Sequence, residues 1–268
     1  MKRQLRPETS RRTSRRFARR PVSVAVLLLL ASAGTHALPT GGQVVSGEAT
    51  IQTPAAGQQL VTQGTQRAII DWNSFSIGSG ETVRFAQPAS TSLVLNRVTG
   101  YDPSRILGQL QANGRVFLLN PYGVVFGAGA RVDASALVAS TLNLSNADFL
   151  AGLYRFDSND GIAASRRGAV VNEGTIATPG GTVALIGPQV SNRGAIDAPL
   201  GRVGLAAADQ VLVDVDGGGL VLFQVAGTQA TNKLEQLGQI RADGGRRIQR
   251  NAQQPNAVDP EANETLAS

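Results

Sequence analysis

From residue 38 to about 230 the apolar residues do not recur at helical spacing. They come as short runs of β-branched and aliphatic residues punctuated by Gly, Asn, Asp and Pro. That is the pattern of short strands joined by turns. Val44-Val45, Arg67 to Asp71, Glu81 to Phe85, Ser92 to Asn96, Arg115 to Leu119 and Val124 to Phe126 are such runs. The pattern predicts an all-β fold. Taken alone it fits a sandwich, a barrel or a solenoid, and a repeat separates these.

A repeat is present. Shifting the sequence by 20 places Val170 on Val190, Asn172 on Asn192, Gly174 on Gly194 and Ile176 on Ile196. The same shift places Gly181 on Gly201, Val183 on Val203 and Leu185 on Leu205. A partial third copy follows 44 residues on, where Gly238, Ile240, Ala242 and Gly245 match Gly194, Ile196, Ala198 and Gly201. A unit of this length with two or three short strands is one coil of a parallel β-helix. Coils stack at the inter-strand spacing of about 4.8 Å. Ile176, Ile196, Val183, Val203, Leu185 and Leu205 are then expected to point inward. Asn172 over Asn192 is expected to form an amide ladder at a turn, where Asn tolerates left-handed geometry. Gly174 and Gly194 let the backbone bend where a Cβ would clash.

The first residues follow a different rule. Nine Lys and Arg and one acid, Glu8, occupy positions 1–20. An apolar run from Val22 to Ala33 follows, then Thr35-His36-Ala37 with small residues three before and directly before a cut. This is the order of a secretory signal peptide, with cleavage expected between Ala37 and Leu38. The twelve apolar residues span about 18 Å as a helix, short of a membrane core of about 30 Å. Ser14-Arg15-Arg16 lacks the apolar pair of a twin-arginine signal, so the Sec machinery is the expected route. Removing nine basic residues and one acid from totals of 25 and 19 leaves 16 and 18, so the mature net charge is −2 rather than +6. The basic character belongs to the leader, and no nucleic-acid partner is expected. Cysteine is absent and the single histidine, His36, leaves with the leader. Ser-His-Asp and Cys-His catalysis and His- or Cys-ligated zinc are thereby excluded from the mature chain. No cofactor and no enzymatic activity are expected.

Other residues invite sharper readings. Trp72 and Phe75 are expected to plug one end of the helix. Asp214 and Asp216, before a run of glycines, lack the later acidic ligands of a calcium loop and are expected to end a strand. Asp197, Arg193 and Arg202 are expected to be scattered solvated charges rather than a lyase-like cluster. Arg97 and Arg105 lie near Asn120-Pro121-Tyr122-Gly123, a turn sequence, and are expected either to pair with acidic groups of a partner or to be solvated. Residues 246–268, rich in Gln, Asn and Pro, are expected to be a disordered or frayed tail.

Residues 38 to about 155 resemble the two-partner secretion (TPS) domain of the filamentous haemagglutinin family of exoproteins and adhesins. The resemblance rests on LPTGGQVVSG at 38–47, IDWNSFSIGSGETVRF at 70–85, LNRVTG at 95–100, ILGQLQANGRVFLLNPYGVVFG at 106–127, VDASALVASTLNL at 132–144 and DFLAG at 148–152. It implies a right-handed parallel β-helix with an N-terminal cap and extra-helical strands, and a domain that is an address rather than a catalyst. The implied organisation is a signal peptide at 1–37, a secretion domain at 38–160, further coils at 161–245 and the tail at 246–268. The implied partner is the set of POTRA domains of a TpsB-type outer-membrane β-barrel transporter in a Gram-negative bacterium, met in the periplasm on the way to the surface or the medium. The family motif N-P-N-G-[IV] corresponds to Asn120, Pro121, Tyr122, Gly123 and Val124, with Tyr122 in place of the second Asn. Asn96 and Arg97 occupy a neighbourhood comparable to a second family motif. Transporter recognition is therefore expected at Asn120, Pro121, Tyr122 and Gly123, with Asn96 and Arg97 beside them. The whole reads as the secretion domain of a haemagglutinin-like adhesin or of a shortened form of one. A self-contained adhesin that binds a host-cell or neighbouring-cell surface ligand is the alternative, and a β-helical polysaccharide lyase is a third reading.

Overall fold

The computed structural model describes residues 37–214, 223–226 and 232–251. Residues 1–36 of the expected signal peptide at 1–37, Asp216 and the end of the expected tail lie outside these residues. Short strands wind into coils, each laying one strand on each of up to three parallel sheets. The first sheet stacks Arg67–Trp72, Leu93–Val98, Arg115–Leu119, Ala136–Ser140, Thr182–Gly187, Arg202–Ala207 and Arg246–Asn251 in parallel. The second stacks Gln58–Gln63, Thr82–Ala86, Gln109–Ala112, Arg131–Asp133, Thr175–Ala177, Ala195–Asp197 and Gln239–Arg241. The third stacks Ser104–Ile106, Val124–Phe126, Val170–Asn172, Gln189–Asn192 and Lys233–Gln236. The fold is the expected all-β parallel β-helix.

The repeat is in register with these coils. Ile176 lies beside Ile196 and Ile196 beside Ile240. Val183 lies beside Val203 and Leu185 beside Leu205. All but Ile240 are buried in one continuous lumen, where parallel strands closed on both sides favour Val, Ile and Leu. The offset of 44 is an offset of 20 with an excursion of 24 residues inserted between Ala207 and Lys233.

The amide ladder is present. Asn172 Nδ2 donates to Asn192 Oδ1 at 2.7 Å, and Asn192 Nδ2 donates to Gln236 Oε1 at 2.9 Å. Both asparagines end strands in extended backbone, and among the described residues Leu200 alone of the non-glycines has positive φ. The left-handed geometry that Asn tolerates is not used here: Asn172 Oδ1 accepts from Gly174 N at 3.1 Å while its Nδ2 reaches the next coil. Nor does Gly194 take a positive φ. A Cβ there would collide with the carbonyl oxygen of Gly174, and one at Gly238 with that of Gly194. These glycines serve close stacking of turns.

The N-terminal end is closed by strands running the other way. Gln43–Ser46 pairs antiparallel with Arg67–Trp72, and Ala49–Ala55 pairs antiparallel with Gln58–Gln63. Trp72, Phe75 and Phe85 fill this end, Trp72 meeting Phe75 edge-on at 5.5 Å. Two excursions cover the outer face of the first sheet. Asn143–Leu144, Tyr154–Asp157, Gln210–Val213 and Phe223–Ala226 form a four-stranded antiparallel sheet, joined by the helix Asn146–Ala151. That helix starts at Ser145, whose Oγ accepts from Asp148 N, and stops at Gly152 with φ 76°. Beneath lies a second core in which Phe117 touches Phe149, Tyr154 and Phe156.

The tail begins later than expected, because Arg246–Asn251 is a rung of the first sheet. Its polar composition hides this. Arg247 is in register with the inward Val203 and Gln249 with Leu205, and Arg247 donates to Ile240 O at 2.8 Å. Only Ile248 keeps an apolar place, in the second core. This rung pairs like a strand while facing the lumen with polar groups.

Candidate functional site

The corner between the first and third sheets is built on Asn120, which follows the strand Arg115–Leu119. Its side chain is buried and fully engaged. Nδ2 donates to Asp102 O at 2.9 Å and to Ser104 Oγ at 3.0 Å, while Oδ1 accepts from Tyr122 N at 2.9 Å. Gly123 N closes the turn onto Asn120 O at 3.0 Å. Gly123 has φ 123°, a region that L side chains avoid. The next coil clamps the turn from its other side, through Gly168 N to Pro121 O at 2.8 Å and Val124 N to Ala169 O at 3.0 Å. One amide therefore fixes a corner shared by three successive coils.

The expected recognition residues divide on this geometry. Pro121 and Tyr122 are half-exposed, whereas Asn120 and Gly123 are buried. Asn96 is also buried: it accepts from Trp72 Nε1 at 3.0 Å and donates to Phe117 O at 3.2 Å. Arg97 donates to Leu144 O at 2.7 Å and Asn146 Oδ1 at 2.8 Å, and pairs with Asp71 at 3.3 Å. Asn96 and Arg97, expected beside the recognition turn, are both engaged within the chain. The first ties the cap to the lumen wall and the second ties the helical excursion to the first sheet. Arg105 is exposed, two residues before the exposed Leu107.

Two residues escaped the sequence reading. Tyr101 packs edge-on against Tyr122 with ring centroids 5.5 Å apart; the only signal was an aromatic in a Gly-Tyr-Asp-Pro loop. Arg167 is buried and binds Thr141 O, Ser158 O and the Asp160 carboxylate, which fastens the loop after Tyr154–Asp157 to the coil.

Arg193 and Arg202 are engaged in ion pairs. Arg193 pairs with Glu235 at 2.9 Å and Glu173 at 3.8 Å, and Arg202 with Asp214 at 3.6 Å. Asp197 lies in register with Arg241. The Arg193 guanidinium holds the Glu235 carboxyl below its ordinary range. Among the described residues no group of three or more His, Cys, Asp or Glu side chains is arranged to hold a metal ion.

A family model described as the TPS secretion domain matches residues 35–267. The chain belongs to this family. The match runs past residue 160, and so does the stack, since Leu137 lies beside Val183 in the first sheet. The TPS secretion domain thus includes the coils that carry the 20-residue repeat. The crystal structure of the HMW1 secretion domain from Haemophilus influenzae superposes with a TM-score of 0.69 and 30% identity, over 79% of this chain and 57% of that one. A filamentous hemagglutinin secretion domain aligns at a TM-score of 0.47 and 14% identity, over 80% of this chain and 99% of that one. A heme/hemopexin-binding protein of Haemophilus influenzae (strain ATCC 51907 / DSM 11121 / KW20 / Rd) is 37% identical over 174 residues, which is 62% of this chain and 18% of that protein. A second protein of that name from Haemophilus influenzae is 38% identical over 126 residues, 47% of this chain and 14% of its own length. The chain spans less than a fifth of the length of these relatives. It carries a TPS secretion domain, in a family whose role is transport rather than catalysis.

Proposed function

We propose that the chain is an export address read by a TpsB-type outer-membrane transporter. The leader at 1–37 directs it through the Sec machinery and is cut between Ala37 and Leu38. The mature chain then crosses the periplasm, where the transporter's POTRA domains engage the corner around Asn120 to Gly123. The product is secreted or held at the surface of a Gram-negative bacterium. The observation that carries this reading is the secretion-domain match over residues 35–267. The fold takes hold at this junction, where Ala37 N also donates to the Glu81 carboxylate at 3.1 Å. Leu38 packs against the lumen core, and Pro39 O accepts from Gln59 Nε2 at 3.1 Å. The heme/hemopexin binding named for the relatives belongs to proteins of which the match covers 18% or less. For this chain we take no ligand from them, and leave any surface ligand to the adhesin that the domain serves.

Co-expression in a two-plasmid system tests the reading. The full chain is expected in the medium only when its transporter is present, with an N-terminus at Leu38. Accumulation in the medium without the transporter would overturn the address, and a start beyond about residue 45 would overturn the cut.

A further inference from the structure

The burial of Asn120 raises the question of what a partner could touch at this corner. The amide that defines the turn is spent inside the protein, on Asp102 O, Ser104 Oγ and Tyr122 N. What reaches the surface is a pair of rings. Tyr101 is 80% exposed, more than any other large apolar side chain among the described residues. It leans edge-on against Tyr122, a geometry that aromatic pairs favour and that restrains both rings.

We propose that Tyr101 and Tyr122 together form the contact surface that the transporter's periplasmic domains read; this rests on the function proposed above. Four features support it. The two loops that carry the rings are held by the same amide, so the pair is preorganised and little ordering entropy remains to be lost on docking. Pro103 and Pro121, beside the rings, fix their own φ angles. Tyrosine offers a large amphipathic face on only two side-chain torsions, which is why it is frequent among residues that dominate binding energy. Asp102 and Arg105, both exposed, supply a polar rim around an apolar centre. A convex ring pair of this kind fits a shallow apolar slot on the partner, with hydrogen-bonding groups placed for the two phenol oxygens. Asn120 is then a positioning residue, and the rings it presents are the feature recognised.

The test uses the full chain and the periplasmic domains of the TpsB transporter that exports it in the two-plasmid assay. Tyr101→Ala and Tyr122→Ala are each expected to weaken binding by about 10-fold or more, as truncated anchor residues do. Tyr101→Phe, which keeps the ring, should bind within a few-fold of the parent chain. The thermal midpoint of Tyr101→Ala should match that of the parent, since the side chain is 80% exposed. Parent-like binding by both alanine variants would overturn the proposal. If Asn120→Ala alone weakens binding, the corner remains the address and the ring contact falls. If the parent chain itself fails to bind these domains, the address reading falls with it.

Discussion

At position 196 the side chain enters the lumen between Ile176 and Ile240, while at 197 it turns outward beside Arg241. Neighbours in a strand point to opposite faces, so two adjacent substitutions should differ sharply. Ile196→Asp buries an unpaired carboxylate in an apolar stack and should cost several kcal/mol. Asp197→Ile changes a half-buried outer site and should cost about 0.5 kcal/mol or less. Urea unfolding of both variants checks the assignment, and equal shifts in midpoint would reverse it. This orientation was legible because identical residues recur at one shift of 20. The fate of the polar residues was not. Asn96, Arg97 and Asn120 looked alike as surface candidates near a turn. Whether an amide faces solvent or a carbonyl of the next coil depends on register, which spacing does not give at residues outside the repeat.

Among the turns that connect strands, glycine does two separate jobs. Gly194 stacks on Gly174 and Gly238 on Gly194, so closely that a Cβ would meet backbone. Gly180 sits at φ 70° in open space. Gly194→Ala should therefore destabilise by about 3 kcal/mol, because coils that are hydrogen-bonded along three sheets have little room to move apart. Gly180→Ala should cost about 1 kcal/mol, the penalty of placing a Cβ in left-handed backbone. Thermal midpoints of the two variants measure the difference, and a larger loss at Gly180 would mean that conformation, not stacking, governs these turns. The repeat announced the first kind of glycine through its alignment at 174, 194 and 238. The extra-helical elements had no such signal. Nothing in Tyr154–Asp157 announces that it pairs with Gln210–Val213, because that contact joins two excursions from different coils. Arg167 is silent in sequence for the same reason.

For the molecule as a whole, neighbouring coils supply almost all the pairing, and this is the level at which the sequence was most informative. A solenoid of about 20 residues per turn followed from one offset, whereas the polar inward face of Arg246–Asn251 concealed a rung behind a tail-like composition. The two unequal offsets have a mechanical consequence. Stacks whose units touch only their neighbours come apart in units. Drawn out by its C-terminal side in optical tweezers, the stack should therefore lengthen in discrete steps rather than at once. The rung that ends at Asn251 and the 24-residue excursion before it, whose Gln210–Val213 must also leave Tyr154–Asp157, together free 44 residues, about 150 Å of chain at up to ~3.6 Å per residue. The coil beneath frees 20 residues, about 70 Å. A long step followed by a short one would be the spacing of the repeat written as extension under load, and a single step for the whole stack would show that tension is shared across every coil.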